Sequence, residues 1–174
     1  RGARGGGGAG ELVPVRQRGL GGAALGRLVS DVVALTRATG TRFVVSDRTD
    51  VALASGEDGV HLRGDSVSAA AVRRLVPPGF LVGRSVHSVA EATDAGPVDY
   101  LIAGTVFSTP SKPGATHLLG LDGLADIVQA VAVPVLAIGG MTRARLDEVL
   151  LTGAVGGAAI GLFLEPFDRI AAPS

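Results

Sequence analysis

The sequence predicts an α/β fold built on parallel strands. Two observations carry this. Short apolar runs alternate along the chain with longer segments of helical spacing. Several of the apolar runs, 134–138 PVLAI among them, are apolar throughout rather than alternating, the pattern of strands covered on both faces.

Taken in order, residues 1–10, RGARGGGGAG, are glycine-rich without an apolar period and read as a flexible or frayed end. Residues 11–16, ELVPVR, read as a strand. Residues 22–39 place Leu25, Leu28, Val29, Val32, Val33 and Leu35 on one helical face. A strand over 42–46 and a short helix over 47–54 follow, then a strand over 58–62. A helix over 68–76 takes Ser66 or Ser68 as N-cap. Next come a strand at 80–84, a helix at 88–95 capped by Ser88, and a strand at 99–104. A long loop runs to about Gly120. The chain closes with a helix at 121–131, a strand at 133–138, a helix at 142–151 capped by Thr142, a strand at 157–161, and a helix begun by Pro166 at 166–171. Two architectures fit about seven alternating strands: an open doubly wound sheet and a (β/α)8 TIM barrel. No G-x-G-x-x-G follows a strand, which weakens the first. The barrel needs one unit more than the alternation supplies.

Length and composition bound the function. The 174 residues suffice for a single domain, 1–174, with its own core. Lys+Arg and Asp+Glu are both 16, so no basic excess points to nucleic acid and no polybasic run to a membrane surface. Aromatics at 3% leave little for base stacking. There is no cysteine, which removes disulfides, thiolate catalysis and cysteine metal sites together. Without a disulfide framework or secretory signal, the expected compartment is cytoplasmic.

In parallel α/β folds, ligands sit at the carboxyl ends of the strands. Arg16 and Arg18 follow the first strand two apart, on one face, and two guanidiniums aimed at one cavity suit a phosphate; as surface arginines they need no ligand. Asp47 follows the second strand as a candidate Mg²⁺ ligand or a helix N-cap. Asp65 follows the third as a second hard-cation ligand or a turn aspartate. His61, inside a strand, reads as structural, His87 as a helix-entry residue near the expected mouth, and His117 as solvated. The stretch FSTPSK offers the hydroxyls of Thr109 and Ser111, backbone N–H groups in a proline-restrained loop, and the Lys112 ammonium, the parts of a pyrophosphate cradle. Gly139, Gly140 and Gly161 end two strands, where glycine lets backbone N–H groups approach a phosphate or simply makes a tight turn.

Together, SDRTDVALASGEDGVHL, GRSVHSVAEA, DYLIAGTVFSTPSKPG and PVLAIGGMT resemble the thiamine phosphate synthase/TenI superfamily, from about Glu11 onward. The resemblance implies a (β/α)8 barrel. It also implies thiamine biosynthesis: hydroxymethylpyrimidine pyrophosphate is joined to hydroxyethylthiazole phosphate, pyrophosphate is released, and Mg²⁺ assists. Its partners would be small phosphorylated substrates, with neither nucleic acid nor membrane, and a homo-oligomer is open. The alternatives are a TenI-like thiazole tautomerase and a non-catalytic relative that binds a phosphorylated ligand. Carried over by position, Arg16, Arg18, Ser85 and Lys112 are implied in catalysis. Thr109, Ser111, Lys112, Gly139 and Gly140 are implied in phosphate binding and Asp47 in metal binding, while Gly161 and Asp65 join these sets from their places at strand ends. Three departures stand out. Pro14 replaces a glutamine, Arg63-Gly64-Asp65-Ser66 replaces Gly-Gln-x-Asp, so that the family's second metal ligand is displaced or lost, and Thr105 stands where the tautomerases carry histidine. The resemblance also places a strand and helix before residue 11, so the expectation is a barrel lacking its first strand and most of its first helix in this chain.

Overall fold

The structure is a computed structural model that describes residues 12–15, backbone alone, and residues 42–109 and 117–158. In chain order these hold β1 (Leu12–Val15), β2 (Arg42–Ser46), α1 (Thr49–Ser55), β3 (Gly59–Leu62), α2 (Ala69–Arg73) and β4 (Leu81–Val86). They continue through α3 (Val89–Thr93), β5 (Tyr100–Gly104), α4 (Gly120–Ala130), β6 (Val135–Ile138), α5 (Arg143–Leu151) and β7 (Gly156–Ala158). The helices expected at 22–39 and 166–171 and the end of the last strand lie outside the described residues. The parallel α/β class expected from the sequence is the class observed.

The chain separates into two compact units, Arg1–Gly83 and Arg84–Ser174. In the first, β1 pairs parallel with β2, with Pro14 opposite Val44, and β2 pairs parallel with β3, with Ser46 opposite His61. All four residues of β3 are buried, as are Phe43, Val44 and Val45 of β2. Val51, Ala52, Ala69 and Val72 supply the buried face of α1 and α2. In the second unit β5, β6 and β7 pair in parallel, with Ala103 opposite Ala137 and Ala137 opposite Gly157. Every residue of β5 is buried. Its core joins Leu101, Ala103, Val135 and Ala137 of the strands to Leu124 and Ile127 of α4 and Val149 of α5. Each large aliphatic side chain so buried contributes about 1.5–3 kcal/mol. Strands buried throughout are what a parallel sheet with helical cover requires, and they explain why period-two alternation is missing from the sequence.

The helix starts show how local chemistry sets the boundaries. Ser68, Ser88 and Thr142 each accept a backbone N–H three residues on, the N-cap role expected of them. Ser66 does not cap; its hydroxyl donates to Asp47. Helix α2 is shorter than the expected 68–76, because Pro77 disfavours helical backbone at Val76. Strand β4 runs two residues beyond 84 and ends on Val86, which is buried.

Asp58, just ahead of β3, ties three chain segments together. Its carboxylate accepts from Phe43 N–H at 2.8 Å, its N–H donates to the Phe43 carbonyl at 3.1 Å, and its carbonyl accepts from Leu81 N–H at 2.8 Å. Asp58→Ala leaves the Phe43 N–H without its acceptor, and Phe43 is buried. The expected loss is about 2 kcal/mol, with Asp58→Asn retaining most of the stability because an amide oxygen can still accept. Urea unfolding of both variants measures this.

Candidate functional site

The structure builds two groups of chemically capable residues at strand ends, one in each unit.

In the second unit, β5 ends at Gly104 and residues 105–109 run on as a strap. Val106 N–H donates to the Ile138 carbonyl at 2.9 Å and Phe107 N–H to the Gly139 carbonyl at 3.1 Å. The strap is thereby laid along the end of β6, and the Thr105 carbonyl accepts from Leu119 N–H at 2.9 Å. Gly139 and Gly140 make the turn from β6 into α5 with φ of +103° and +62°. At Gly140 a Cβ would stand 2.5 Å from the Ser108 carbonyl oxygen and 2.8 Å from the Phe107 Cβ, and at Gly139 it would stand 3.1 Å from the Thr105 Cα. Two glycines are needed here for backbone conformation and for contact. They bring the strap against the turn at the head of α5, a nine-residue helix whose N-terminal N–H groups favour an anion.

Arg145, in the first turn of α5, holds this junction. Its Nη1 donates to the Gly140 carbonyl at 2.6 Å, and its guanidinium lies 4.5 Å above the Phe107 ring centre. Sequence reasoning missed Arg145. The available signal was a cation in a first helical turn, where the helix dipole disfavours it unless it serves another contact.

His87 follows β4. Its N–H donates to Glu91 Oε2 at 2.8 Å, Glu91 N–H donates to Ser88 Oγ at 3.1 Å, and its Nδ1 meets the Gly104 carbonyl. A carbonyl only accepts, so Nδ1 carries a proton toward it. The helix-entry role is therefore present, with the imidazole held on the carbonyl of Gly104, the residue before Thr105. Ser85 lies half-buried in β4, Thr109 half-buried in the strap, and His117 is exposed. Arg16, Arg18, Ser111, Lys112 and Gly161 lie outside the described residues.

In the first unit, β2 ends at Ser46 and Asp47 takes φ of +60°, in the left-handed region. Its N–H donates to the His61 carbonyl at 3.0 Å. Asp47 is not the N-cap of α1: Arg48 holds that position without a side-chain cap bond. The carboxylate instead turns toward the end of β3. Its Oδ1 accepts from Arg63 N–H at 3.0 Å and from the Ser66 hydroxyl, and its Oδ2 pairs with Arg63 Nε at 2.5 Å. The same Nε reaches Asp65 Oδ1 at 3.2 Å, and Arg63 Nη2 donates to Asp65 Oδ2 at 3.3 Å. Asp47 and Asp65, the two expected cation ligands, are thus brought to one cation, the Arg63 guanidinium. Their side chains differ in exposure, 27% for Asp47 and 75% for Asp65. Among the described residues, no three His, Cys, Asp or Glu gather to hold a metal. The donor set nonetheless fits Mg²⁺, which takes one or two carboxylates and completes its shell with water and substrate phosphate.

His61 is only 7% exposed, with Asp47 as its charged neighbour. Burial lowers its pKa to about 4, against a smaller opposing pull from Asp47. As pH falls, the unfolded chain takes up a proton near pH 6.5 while the folded chain does not, so ν_U exceeds ν_N and stability drops. Stability is complete above about pH 6.5 and is lost progressively toward pH 4, by roughly 3 kcal/mol. The urea midpoint of wild type against His61→Gln between pH 7 and pH 4.5 measures this, and an unchanged slope in the variant would refute it.

Among the described residues, no helix is long and apolar enough to cross a membrane. A family model described as thiamine monophosphate synthase matches residues 5–163. The thiamine-phosphate synthase of Methanoregula boonei is 42% identical over 167 residues, covering 95% of this chain and 77% of that protein. The thiamine-phosphate synthase of Methanoculleus marisnigri is 40% identical over 167 residues, covering 95% of this chain and 79% of its own length. Among solved structures, the thiamine phosphate pyrophosphorylase from Pyrococcus furiosus superposes with a TM-score of 0.76 at 35% identity, over 85% of this chain and 71% of that one. By sequence and by fold, the chain belongs to the thiamine monophosphate synthase family.

Proposed function

We propose that this chain is a thiamine-phosphate synthase, a transferase that joins hydroxymethylpyrimidine pyrophosphate to hydroxyethylthiazole phosphate and releases pyrophosphate. The observation that carries the reading is the strap of 105–109 laid against the Gly139–Gly140 turn, in a chain 42% identical to a thiamine-phosphate synthase. In the reaction the carbon–oxygen bond between the pyrimidine methylene and pyrophosphate breaks, and its electron pair leaves with pyrophosphate. The thiazole nitrogen lone pair then forms the new carbon–nitrogen bond. No proton has to move, so no base is required in the strap. That agrees with Thr105, whose side chain does not titrate and whose carbonyl is engaged by Leu119.

The remaining roles follow from charge and position. The turn at Gly139 and Gly140, together with Gly161, receives the thiazole phosphate. Thr109, Ser111 and Lys112 cradle the pyrophosphate, with Arg16 and Arg18 adding charge as it departs. Ser85 donates a hydroxyl to the same substrate. Asp47 and Asp65 hold Mg²⁺, whose charge stabilises the leaving pyrophosphate. The same reading carries an eight-stranded barrel. The test is to incubate the purified protein with both substrates and Mg²⁺ and to follow thiamine phosphate and pyrophosphate. Equal amounts of the two products support the reading, and their absence from a folded protein refutes it.

One observation favours a second reading. The His87 imidazole, held through Nδ1 on the carbonyl of Gly104, is a side chain of the type that transfers protons and stands where the strap begins. A thiazole tautomerase would need such a base. Conversion of the thiazole carboxylate phosphate tautomer without a pyrimidine substrate, abolished by His87→Gln, would favour it.

A further inference from the structure

The Arg63 guanidinium sits where a cation shared by Asp47 and Asp65 would sit. Its Nε is 2.5 Å from one carboxylate and 3.2 Å from the other. Its backbone N–H also donates to Asp47 Oδ1 and, at 3.0 Å, to Ser66 Oγ, so the side chain starts from a fixed point. Three of the roughly four acceptor positions of the Asp47 carboxylate are taken: one oxygen takes Arg63 N–H and the Ser66 hydroxyl, and the other takes Arg63 Nε. A divalent ion held by both carboxylates would lie against the Arg63 guanidinium, where like charges repel, so one of the two cations has to give way. Arg63 Nε is the partner that can leave, because its side chain is half exposed and, among the described residues, anchored by the two carboxylates alone, whereas the backbone N–H cannot move away.

We propose that Arg63 is a built-in competitor for Mg²⁺, holding Asp47 and Asp65 together when no metal is bound and swinging out when it binds. The inference rests on the metal-binding part of the synthase reading. It has two consequences. The metal-free site is already arranged, so the two carboxylates need not be gathered against their mutual repulsion. Mg²⁺ affinity is set by the exchange of one cation for another, so it is weaker than the two carboxylates alone would give. A substrate pyrophosphate approaching the site favours the exchange twice, by ligating Mg²⁺ and by offering the released guanidinium an anion.

The experiment measures binding rather than turnover. Mn²⁺ stands in for Mg²⁺, and its binding to the full chain is followed by electron paramagnetic resonance for wild type and Arg63→Gln, with and without pyrophosphate. The expected result is binding about two- to fivefold tighter in the variant, the fold-change matching a partly exposed ion pair. A second measurement on the wild type guards against a misfolded variant. The Arg63 Nε–H signal, in protein labelled with ¹⁵N-arginine, exchanges slowly with water while Arg63 is paired, and its exchange accelerates as Mg²⁺ saturates. Equal Mn²⁺ affinity in both proteins, or an Nε–H signal unmoved while the ion binds, overturns the role of Arg63 and leaves the synthase metal site standing. Absence of binding in either protein, with or without pyrophosphate, overturns both.

Discussion

Replacing Gly140 with alanine is expected to lower kcat/KM for hydroxyethylthiazole phosphate by about two orders of magnitude. Two costs combine. At φ of +62° an L-residue loses roughly 1–2 kcal/mol to the contact between its Cβ and its own backbone. The new Cβ also has nowhere to go: 2.5 Å away is the Ser108 carbonyl oxygen and 2.8 Å away the Phe107 Cβ. The first of these is backbone, so relief requires the strap to lift from the turn by most of an ångström. A displacement of that size at a substrate-positioning element costs about 10²-fold. Arg145 would lose register as well, because it bonds the Gly140 carbonyl and covers the Phe107 ring, the two parts that separate. Gly153→Ala provides the control. Gly153 has φ of +89° and lies beyond the other end of α5, with Val128 Cγ1 3.1 Å from its added Cβ. It carries similar backbone strain without touching the strap. Steady-state kinetics and thermal melts on both variants separate the effects: Gly153→Ala should lower Tm and spare KM, and a Gly140→Ala protein with wild-type KM would remove the turn from the phosphate site.

How much of this was legible in the sequence depended on the range of the interaction concerned. The strands read well because runs such as YLIAG in β5 are buried at every position and therefore apolar at every position. The caps at Ser68, Ser88 and Thr142 read well because a cap is a contact over three residues. The glycines at 139 and 140 read from sequence as a phosphate approach or a tight turn, yet a further reason for them, the approach of Ser108 and Phe107, joins residues about 30 apart and leaves no local trace. Asp47 was open between an N-cap and a ligand. Its positive φ and its turn toward Arg63 decide against the cap, and both depend on the parallel pairing of β2 with β3. Arg63 itself could be seen only as a departure from the Gly-Gln-x-Asp pattern. Its bridging of two carboxylates needed coordinates, because Asp47 is 16 residues away in sequence. The stretch beyond Thr109, and Arg16 and Arg18, lie outside the described residues, and the roles proposed for them rest on residue chemistry and the family pattern.

Asp47→Asn tests the metal-binding part of the proposed function, and the expected loss is the largest: kcat down by about 10³-fold with little change in stability. The stability side follows from what asparagine keeps. Asparagine tolerates the left-handed region nearly as well as aspartate, so φ of +60° adds little strain. Its amide oxygen can still accept from Arg63 N–H and the Ser66 hydroxyl. The ion pair to Arg63 is lost, but Arg63 is half exposed, and such pairs contribute about 1 kcal/mol or less. The activity side follows from charge. A neutral amide ligates Mg²⁺ poorly, and stabilisation of a departing pyrophosphate is electrostatic, where one lost contact of this kind costs about 10²–10³. The two readings of Asp47 therefore separate in one protein. If its function is to brace the ends of β2 and β3, Asp47→Asn lowers Tm in step with activity, and raising Mg²⁺ does nothing. If it ligates the metal, Tm stays within a few degrees while kcat falls, and excess Mg²⁺ recovers part of the loss. Full activity in Asp47→Asn at ordinary Mg²⁺ would refute the metal assignment, and with it the route by which Arg63 was argued to act.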